Sequence, residues 1–204
     1  MKKLLTLLLI AISLNSIAYE WRLIGTSSSA QSVVYNLAVE GYQQGFDKWL
    51  ELAKKGDDVA QFRIGFLYMY GKDDERMYAG LIDDISEWDN IENDRQGIYW
   101  LEKSAAQGNR DGLHNIGVCN LYGYGVLRNP PKGLNLLIKA AEAGSWDAMD
   151  VLGFYYVNGL FVEKSLDKAA FWINKAFEVV PDSEEFTLSQ SKERWDKYEL
   201  WKYL

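Results

Sequence analysis

Two short stretches carry a serine and a lysine at the spacing used for serine acylation. Ser165 and Lys168 lie three residues apart in "SLDK", and Ser189 and Lys192 do so in "SQSK". In an S-x-x-K arrangement the lysine lies one helical turn beyond the serine and can assist its attack on an acyl group. The S-D-N and K-T-G segments that accompany this motif in such enzymes do not occur in the sequence. Catalysis by Ser165 is therefore the minor alternative to a structural role.

The chain has one histidine, His114, and one cysteine, Cys119. A zinc site needs about three protein ligands of suitable type, and these two residues are too few to supply them. We expect His114 to serve packing or the surface, and Cys119 to be a small buried apolar residue. No metal, no cofactor and no internal disulfide is expected, so packing must supply the stability.

The stretch from Asp73 to Asp94 is strongly acidic, with nine Asp and Glu residues against Arg76 alone. Its apolar residues are spaced like one face of a short helix. The stretch is either a solvated decoration that packs its apolar face on the domain, or an acidic projection that docks on a basic partner. In the second interpretation the partner-binding residues within it are Asp83, Asp84, Glu87, Trp88 and Asp89.

The chain contains a repeat of 36 residues. Gly117 and Gly153, for example, occupy the same position in two consecutive repeats. Asn93, Asn129 and Ser165 follow the same step and suit helix N-caps. The step from Gly65 to Gly117 is longer by 16 residues, which places an insertion between Gly71 and Asn93. The repeat also explains Ser165 as a cap, because Lys168 matches Lys132 of the preceding repeat.

Each repeat is predicted to be a helical hairpin, with helix A in stretches such as "GLNLLIKAAEA" and helix B in stretches such as "AMDVLGFYYVNG". Glycine after helix A, as at Gly108 and Gly144, suits a left-handed helix end. A glycine in the middle of helix B costs about 1 kcal/mol relative to alanine. We expect these glycines and the paired alanines of helix A to let two helix backbones pack closely. The residues are Gly65, Gly117, Gly153, Ala105, Ala106, Ala140 and Ala141.

Trp146 is a further candidate for partner binding. It stands at the start of a helix B, where the corresponding residues of the other repeats, Asp58 and Arg110, are charged. An exposed tryptophan beside acidic residues would be a natural binding anchor, whereas packing between repeats would make it structural. The sequence leaves both interpretations open.

The stretches "WLEKSAAQGNRDGLHNIGVCNLYGYGV" and "LIKAAEAGSWDAMDVLGFYYVNGLFV" resemble Sel1-like repeats, relatives of tetratricopeptide repeats. The resemblance implies an all-α fold, a right-handed α-solenoid of helical hairpins with terminal capping helices. We accordingly divide the chain into a signal peptide (1–18), an N-terminal capping region (19–44), the repeats (45–180, with the acidic insertion at about 73–92) and a C-terminal capping helix (181–204).

The first residues, "MKKLLTLLLIAISLNSIAYEW", place Lys2 and Lys3 before an apolar run and small residues before a predicted cleavage after Ala18. The run is too short for a comfortable membrane span, so we expect a secreted, periplasmic chain with no stable membrane anchor after cleavage. The net charge of −7 opposes contact with phosphate backbones. Nucleic acid is therefore not an expected partner.

The resemblance implies a non-catalytic protein–protein interaction module. One role that it implies for a secreted member is immunity, in which the protein neutralises a type VI secretion toxin, such as a lipase effector, by occluding its active site. The expected partner is then a toxin with a basic cleft. The alternative is an envelope adaptor or regulatory scaffold, and a β-lactam-recognising enzyme built on Ser165 is less favoured.

Overall fold

The computed structural model describes residues 42–70, 91–179 and 189–204. Within these ranges the chain forms eight α-helices, one short 3₁₀ helix and no strand. The helices are α1 (Tyr42–Lys54), α2 (Asp58–Tyr70), α3 (Ile91–Ala106), α4 (Arg110–Tyr122), α5 (Pro130–Glu142), α6 (Trp146–Asn158), α7 (Leu166–Val179) and α8 (Ser189–Lys197), and the 3₁₀ helix is Leu200–Tyr203. The prediction of an all-α fold built from helical hairpins is confirmed.

The chain divides into two compact units, residues 1–104 and 105–204. In unit 1, α1 packs against α2 around a core that contains Trp49 and Ile64, both almost fully buried. In unit 2, the helices from α4 to α7 pack against their neighbours in chain order, and Leu121, Leu137 and Leu152 are fully buried between them. Each unit therefore has its own apolar core.

Short polar residues begin the helices of unit 2. The side chain of Asn129 accepts a hydrogen bond from the Lys132 amide at 3.1 Å, as predicted for a cap, and Pro130 opens α5. The Ser165 hydroxyl accepts one from the Lys168 amide at 3.3 Å, which makes Ser165 the cap of α7. These contacts satisfy amides that have no partner within the helix.

Asn93 was predicted to cap the corresponding helix, and this prediction is wrong. The helix begins at Ile91, so Asn93 lies inside its first turn. Ile91 and Glu92 are compatible with helical backbone, and they extend α3 beyond the point that the repeat indicates.

The glycines in the middle of helix B lie against a neighbouring helix, as predicted. A Cβ atom placed on Gly65 would lie 2.8 Å from the Leu101 side chain and 2.9 Å from the Leu101 backbone nitrogen. On Gly117 it would lie 3.2 Å from the carbonyl oxygen of Gly133, and on Gly153 it would lie 2.4 Å from the Ile173 side chain. A Cβ atom at Gly65 or Gly153 would require its neighbours to shift, whereas at Gly117 they would need to move by only a few tenths of an ångström.

The residue that faces each of these glycines belongs to the helix A that follows in the chain. These facing residues are Gly97, Gly133 and Ala169, themselves 36 residues apart. The Cβ atom placed on the helix B glycine would lie 3.0 Å, 3.2 Å and 3.6 Å from their respective carbonyl oxygens. The distance to the facing carbonyl oxygen is therefore longest where that residue is an alanine, although the Ile173 side chain still lies close to Gly153. The paired alanines Ala140 and Ala141 are buried in the core of unit 2 instead.

The C-terminal aromatic residues pack only in part. Trp195 meets Phe177 edge to face at 5.5 Å, and Tyr198 packs on the buried cluster that contains Leu200. Trp201 is half exposed because α8 ends at Lys197 and the left-handed backbone of Glu199 (φ +49°) redirects the chain. Leu200 takes the buried position. Asp182 and Ser183, either of which would suit the cap of the C-terminal helix predicted at 181–204, lie outside the described residues.

Candidate protein-binding surface

The turn after α4 projects two tyrosines. Gly123 ends the helix in the left-handed conformation (φ +87°), and its amide donates to the Cys119 carbonyl at 2.8 Å. Tyr122 and Tyr124 flank this glycine and are 44% and 51% exposed. Their rings stack at 5.6 Å with an angle of 18° between the planes. The turn therefore presents two aromatic rings that are about half exposed to solvent.

The turn after α6 supplies a third ring by an unusual backbone. Phe161 has φ +58°, and it occupies the position that Gly125 (φ +64°) holds one repeat earlier. A left-handed conformation is free for glycine but costs an ordinary residue about 1–2 kcal/mol. Its ring meets Tyr122 at 5.4 Å and Tyr155 at 5.1 Å, edge to face in both cases. The strained turn thus carries a ring that joins two repeats.

We name Tyr122, Tyr124, Tyr155 and Phe161 the turn cluster. The hydroxyl groups of Tyr122 and Tyr155 form a hydrogen bond at 3.0 Å. Burial, followed by this hydrogen bond, raises the pKa of Tyr155 above its ordinary value, so the phenol stays neutral. The Arg128 guanidinium lies 5.9 Å from the Phe161 ring centre, and its Nε donates to the Leu121 carbonyl at 3.0 Å. The cluster is a firmly held aromatic surface with a cation at its edge.

The structure places Trp146 at the first position of α6, partly buried against the core of unit 2. Ser145 before it is the helix cap and is almost fully buried. The indole packs against the core of unit 2, as the structural interpretation expects, and it is not part of the turn cluster; its role in partner binding stays a prediction. The other predicted binding residues, Asp83, Asp84, Glu87, Trp88 and Asp89, lie outside the described residues.

The serine and lysine of "SLDK" both make structural contacts in unit 2. The Ser165 hydroxyl serves the first turn of α7. The Lys168 ammonium group lies 5.3 Å from the centre of the Tyr156 ring. Each group has a structural contact that accounts for its position in the repeat.

His114 and Cys119 lie inside α4. Burial lowers the pKa of His114 to about 4, so the imidazole is neutral at physiological pH. The Cys119 thiol is fully buried, as predicted for a small apolar residue. Across the described ranges, no group of three or more His, Cys, Asp or Glu side chains is arranged to hold a metal ion. Nor does any helix in those ranges have the length and apolarity to cross a bilayer.

Sequence reasoning missed the turn cluster, although one signal for it was present. Gly125 and Phe161 stand at the same position of the repeat, and a phenylalanine there departs from the glycine that the turn favours. The tyrosines gave no comparable signal, because thirteen Tyr residues are spread along the chain. Only the structure shows that four aromatic residues from two repeats meet.

A family model for the Sel1 repeat matches residues 58–76, 91–109, 110–145 and 146–178, just over half of the chain in total. The chain belongs to the Sel1 repeat family. The match at 110–145 spans α4 and α5, the two helices that meet at Gly117 and Gly133. Residues 77–90, within the acidic stretch, lie between two matched segments.

A solved structure gives the same result for the fold. A Sel1 repeat protein from Oxalobacter formigenes aligns with a TM-score of 0.54 and 26% identity, over 67% of this chain and 92% of that protein. The protective antigen c5321 of uropathogenic Escherichia coli strains, which displays an SLR fold, aligns with a TM-score of 0.49 and 18% identity, over 83% of this chain and 41% of that one. No curated protein matches the chain.

The predicted family and the predicted fold class, an α-solenoid repeat, are therefore confirmed. Sel1 repeats typically mediate protein–protein interaction, and proteins built from them are generally non-catalytic scaffolds.

Proposed function

We propose that this chain is a non-catalytic interaction module that binds a protein partner through the turn cluster of unit 2. The observation that carries the proposal is the presence of half-exposed rings fixed in place by neighbours from a second repeat. Protein interfaces are enriched in tyrosine at their centres. Rings that are already ordered lose little conformational entropy when a partner covers them. The surface is therefore suited to recognition without rearrangement.

Tyr124 is the residue whose substitution is expected to weaken binding most while affecting the stability of the fold least. It is the most exposed ring of the cluster, and its half-exposed surface would be covered in a complex. Covering about 100 Å² of apolar surface contributes roughly 2–3 kcal/mol at 25 cal/mol per Å². Losses from polar contacts and side-chain ordering reduce this, so a tenfold to thirtyfold weakening on Tyr124→Ala is the expected size.

The finer proposal is that the partner is a toxin and that the chain is an immunity protein of the periplasm. It is supported by the signal-peptide pattern of residues 1–18 and by the resemblance discussed above. The module would neutralise the toxin, for instance a lipase delivered by a type VI secretion system, by covering the entrance to its active site. A protein that acts by covering an active site needs a rigid binding surface, and we assign that role to the turn cluster.

The test is co-purification of the chain from residue 19 onward with the product of the adjacent gene, followed by calorimetry. Tyr124→Ala should weaken the complex tenfold or more. Phe171→Ala is the matched control, because Phe171 is a half-exposed ring of unit 2 that lies outside the turn cluster. Equal losses for the two variants, or no loss for Tyr124→Ala, would overturn the proposed surface.

A growth assay separates immunity from the adaptor alternative. Cells that export the toxin to the periplasm should survive when the wild-type chain is co-exported, and survival should fall for Tyr124→Ala. A complex that forms without protecting the cells would contradict the immunity proposal and leave the interaction module in place.

A further inference from the structure

A second surface of unit 2 lies between helix α6 and the C-terminal helix α8. The two helices leave an open groove of about 240 Å³ between them. Phe154, Val157 and Tyr198 supply its apolar lining, and Phe154 is 37% exposed. The space is sufficient for one or two side chains and too small for a folded domain. The groove therefore suits an extended segment of polypeptide.

Arg194 fixes the groove and has its charge balanced within unit 2. Its Nη2 donates to the Asp150 carboxylate and, at 3.1 Å, to the Ser191 hydroxyl, while the guanidinium lies 5.5 Å from the centre of the Phe154 ring. These contacts tie α8 to α6 and hold one wall in place. Arg194 is therefore a structural element of the groove and not the group that attracts a ligand.

Two lysines near the Tyr198 ring lack such a partner, Lys197 in the groove lining and Lys164 beside it. The ammonium groups of Lys164 and Lys197 lie 5.9 Å and 5.4 Å from the centre of the Tyr198 ring. Within the described residues neither forms an ion pair with a carboxylate. Lys175, by contrast, pairs with Glu178 at 3.0 Å, as Lys202 does with Glu199.

Both ammonium groups lie near the Tyr198 ring. Because each is close to the same ring centre, they can be no more than about 11 Å apart, somewhat more than the Debye length of about 8 Å at physiological salt. Like charges at this distance repel each other weakly, and an anion near the ring would be attracted by both. The carboxylate of Glu193, which also lines the groove, opposes such an anion.

We propose that this groove binds an acidic, apolar-containing extended segment of a protein partner, with its carboxylates near Lys164 and Lys197 and an apolar side chain over Phe154. The inference rests on the proposed function only in that the partner is a protein. The net charge of −7 disfavours diffuse attraction of acidic peptides to the chain as a whole. Binding of an acidic peptide therefore has to come from a local site.

The experiment uses the chain from residue 19 onward and a fluorescein-labelled peptide in which Glu alternates with Leu and Phe. We expect saturable binding by fluorescence anisotropy that weakens as salt is raised from 50 to 300 mM. The double variant Lys164→Gln/Lys197→Gln should weaken binding at least tenfold. Glu193→Gln should strengthen it severalfold, because it removes the opposing carboxylate. In NMR spectra, the signals of Asn158 and Tyr198 should shift on titration.

The matched control is Lys175→Gln/Lys202→Gln, which removes the same charge from unit 2 at lysines that are already paired. Equal weakening by both double variants would show charge attraction alone and would overturn the inference. So would an absence of binding, or tighter binding of a single-stranded oligonucleotide at the same lysines. Urea unfolding checks that each variant is folded. The Tyr124→Ala test concerns a different surface and ligand, so the two proposals fail separately.

Discussion

The substitution Gly133→Ala tests the packing that holds consecutive repeats together. A Cβ atom on Gly133 would lie 2.7 Å from the Gly117 carbonyl oxygen and 2.8 Å from both the backbone nitrogen and the side chain of Leu121. Two of these neighbours are backbone atoms of a helix and cannot rotate away. The helices α4 and α5 would have to separate by roughly half an ångström.

The free energy of this change has two opposing parts. Alanine favours the helix by about 1 kcal/mol relative to glycine. Overpacking costs about 1–3 kcal/mol or more when backbone must shift, and a gap of half an ångström loses about a quarter of each van der Waals contact along the interface. We expect a net loss of about 2 kcal/mol. For a chain of this size, that lowers the Tm by about 4–8 °C.

Gly117→Ala is the matched control, because it changes the same residue type in the same pair of helices. Its Cβ atom would meet Gly133, Leu136 and Leu137 at 3.2–3.3 Å, so the neighbours need to move by only a few tenths of an ångström. The gain in helix propensity should offset this, which leaves the stability within about 1 kcal/mol of wild type. Thermal and urea unfolding followed by circular dichroism measure both. The reasoning is refuted if Gly133→Ala is as stable as wild type or if Gly117→Ala is the more damaging change.

Three further predictions concern single side chains. The pKa of His114 is about 4 in the folded chain and about 6.5 in the unfolded one, so the contribution of the neutral imidazole to the free energy of unfolding is fully present above pH 6.5 and is lost as the pH falls toward 4. In His114→Gln, the urea midpoint should therefore change less with pH over that range. Ser165→Ala should lower the stability by about 1 kcal/mol through loss of a cap, and fluorescent penicillin should label neither protein, whereas labelling lost on this change would revive an acylation role. The buried Cys119 thiol should react with a thiol reagent at least a hundredfold faster in 6 M urea than in buffer, and rapid native labelling would contradict its position.

Much of the fold follows from the sequence because the repeat supplies three observations of each position. Gly65, Gly117 and Gly153 recur at a place where glycine is costly, and only close helix packing explains a cost that is repeated. The residues opposite them were not identified. Gly97, Gly133 and Ala169 recur at the same step, yet a glycine near the start of a helix has several explanations, and the pairing of helices is a fact of three dimensions. Asn93 was wrongly predicted to be a cap, because its position in the repeat carries no information about how the neighbouring insertion changes the start of the helix.

The binding surfaces were less accessible to sequence reasoning. Trp146 drew attention because a tryptophan stood among charged counterparts, but its neighbours in space are apolar and it packs on the core of unit 2. The groove lysines gave no signal, because nothing in a linear sequence shows which lysines lack a carboxylate. The sequence repeat identifies residues that depart from it. The exposure of a side chain and its ion pairs depend instead on which side chains meet in the folded chain.

Phe161 combines backbone strain with a large apolar ring. Glycine at this position would hold the same turn without strain, as Gly125 does one repeat earlier. Phenylalanine costs about 1–2 kcal/mol there, whereas its two edge-to-face contacts contribute about 0.5–1.5 kcal/mol each, beyond the burial of the ring against the core of unit 2. The exchange therefore stabilises the fold on balance. The same ring lies beside Tyr122 and Tyr155, while Tyr122 and Tyr124 stay half exposed. Phe161 thus stabilises the turn and also orders the aromatic surface that we propose a partner contacts.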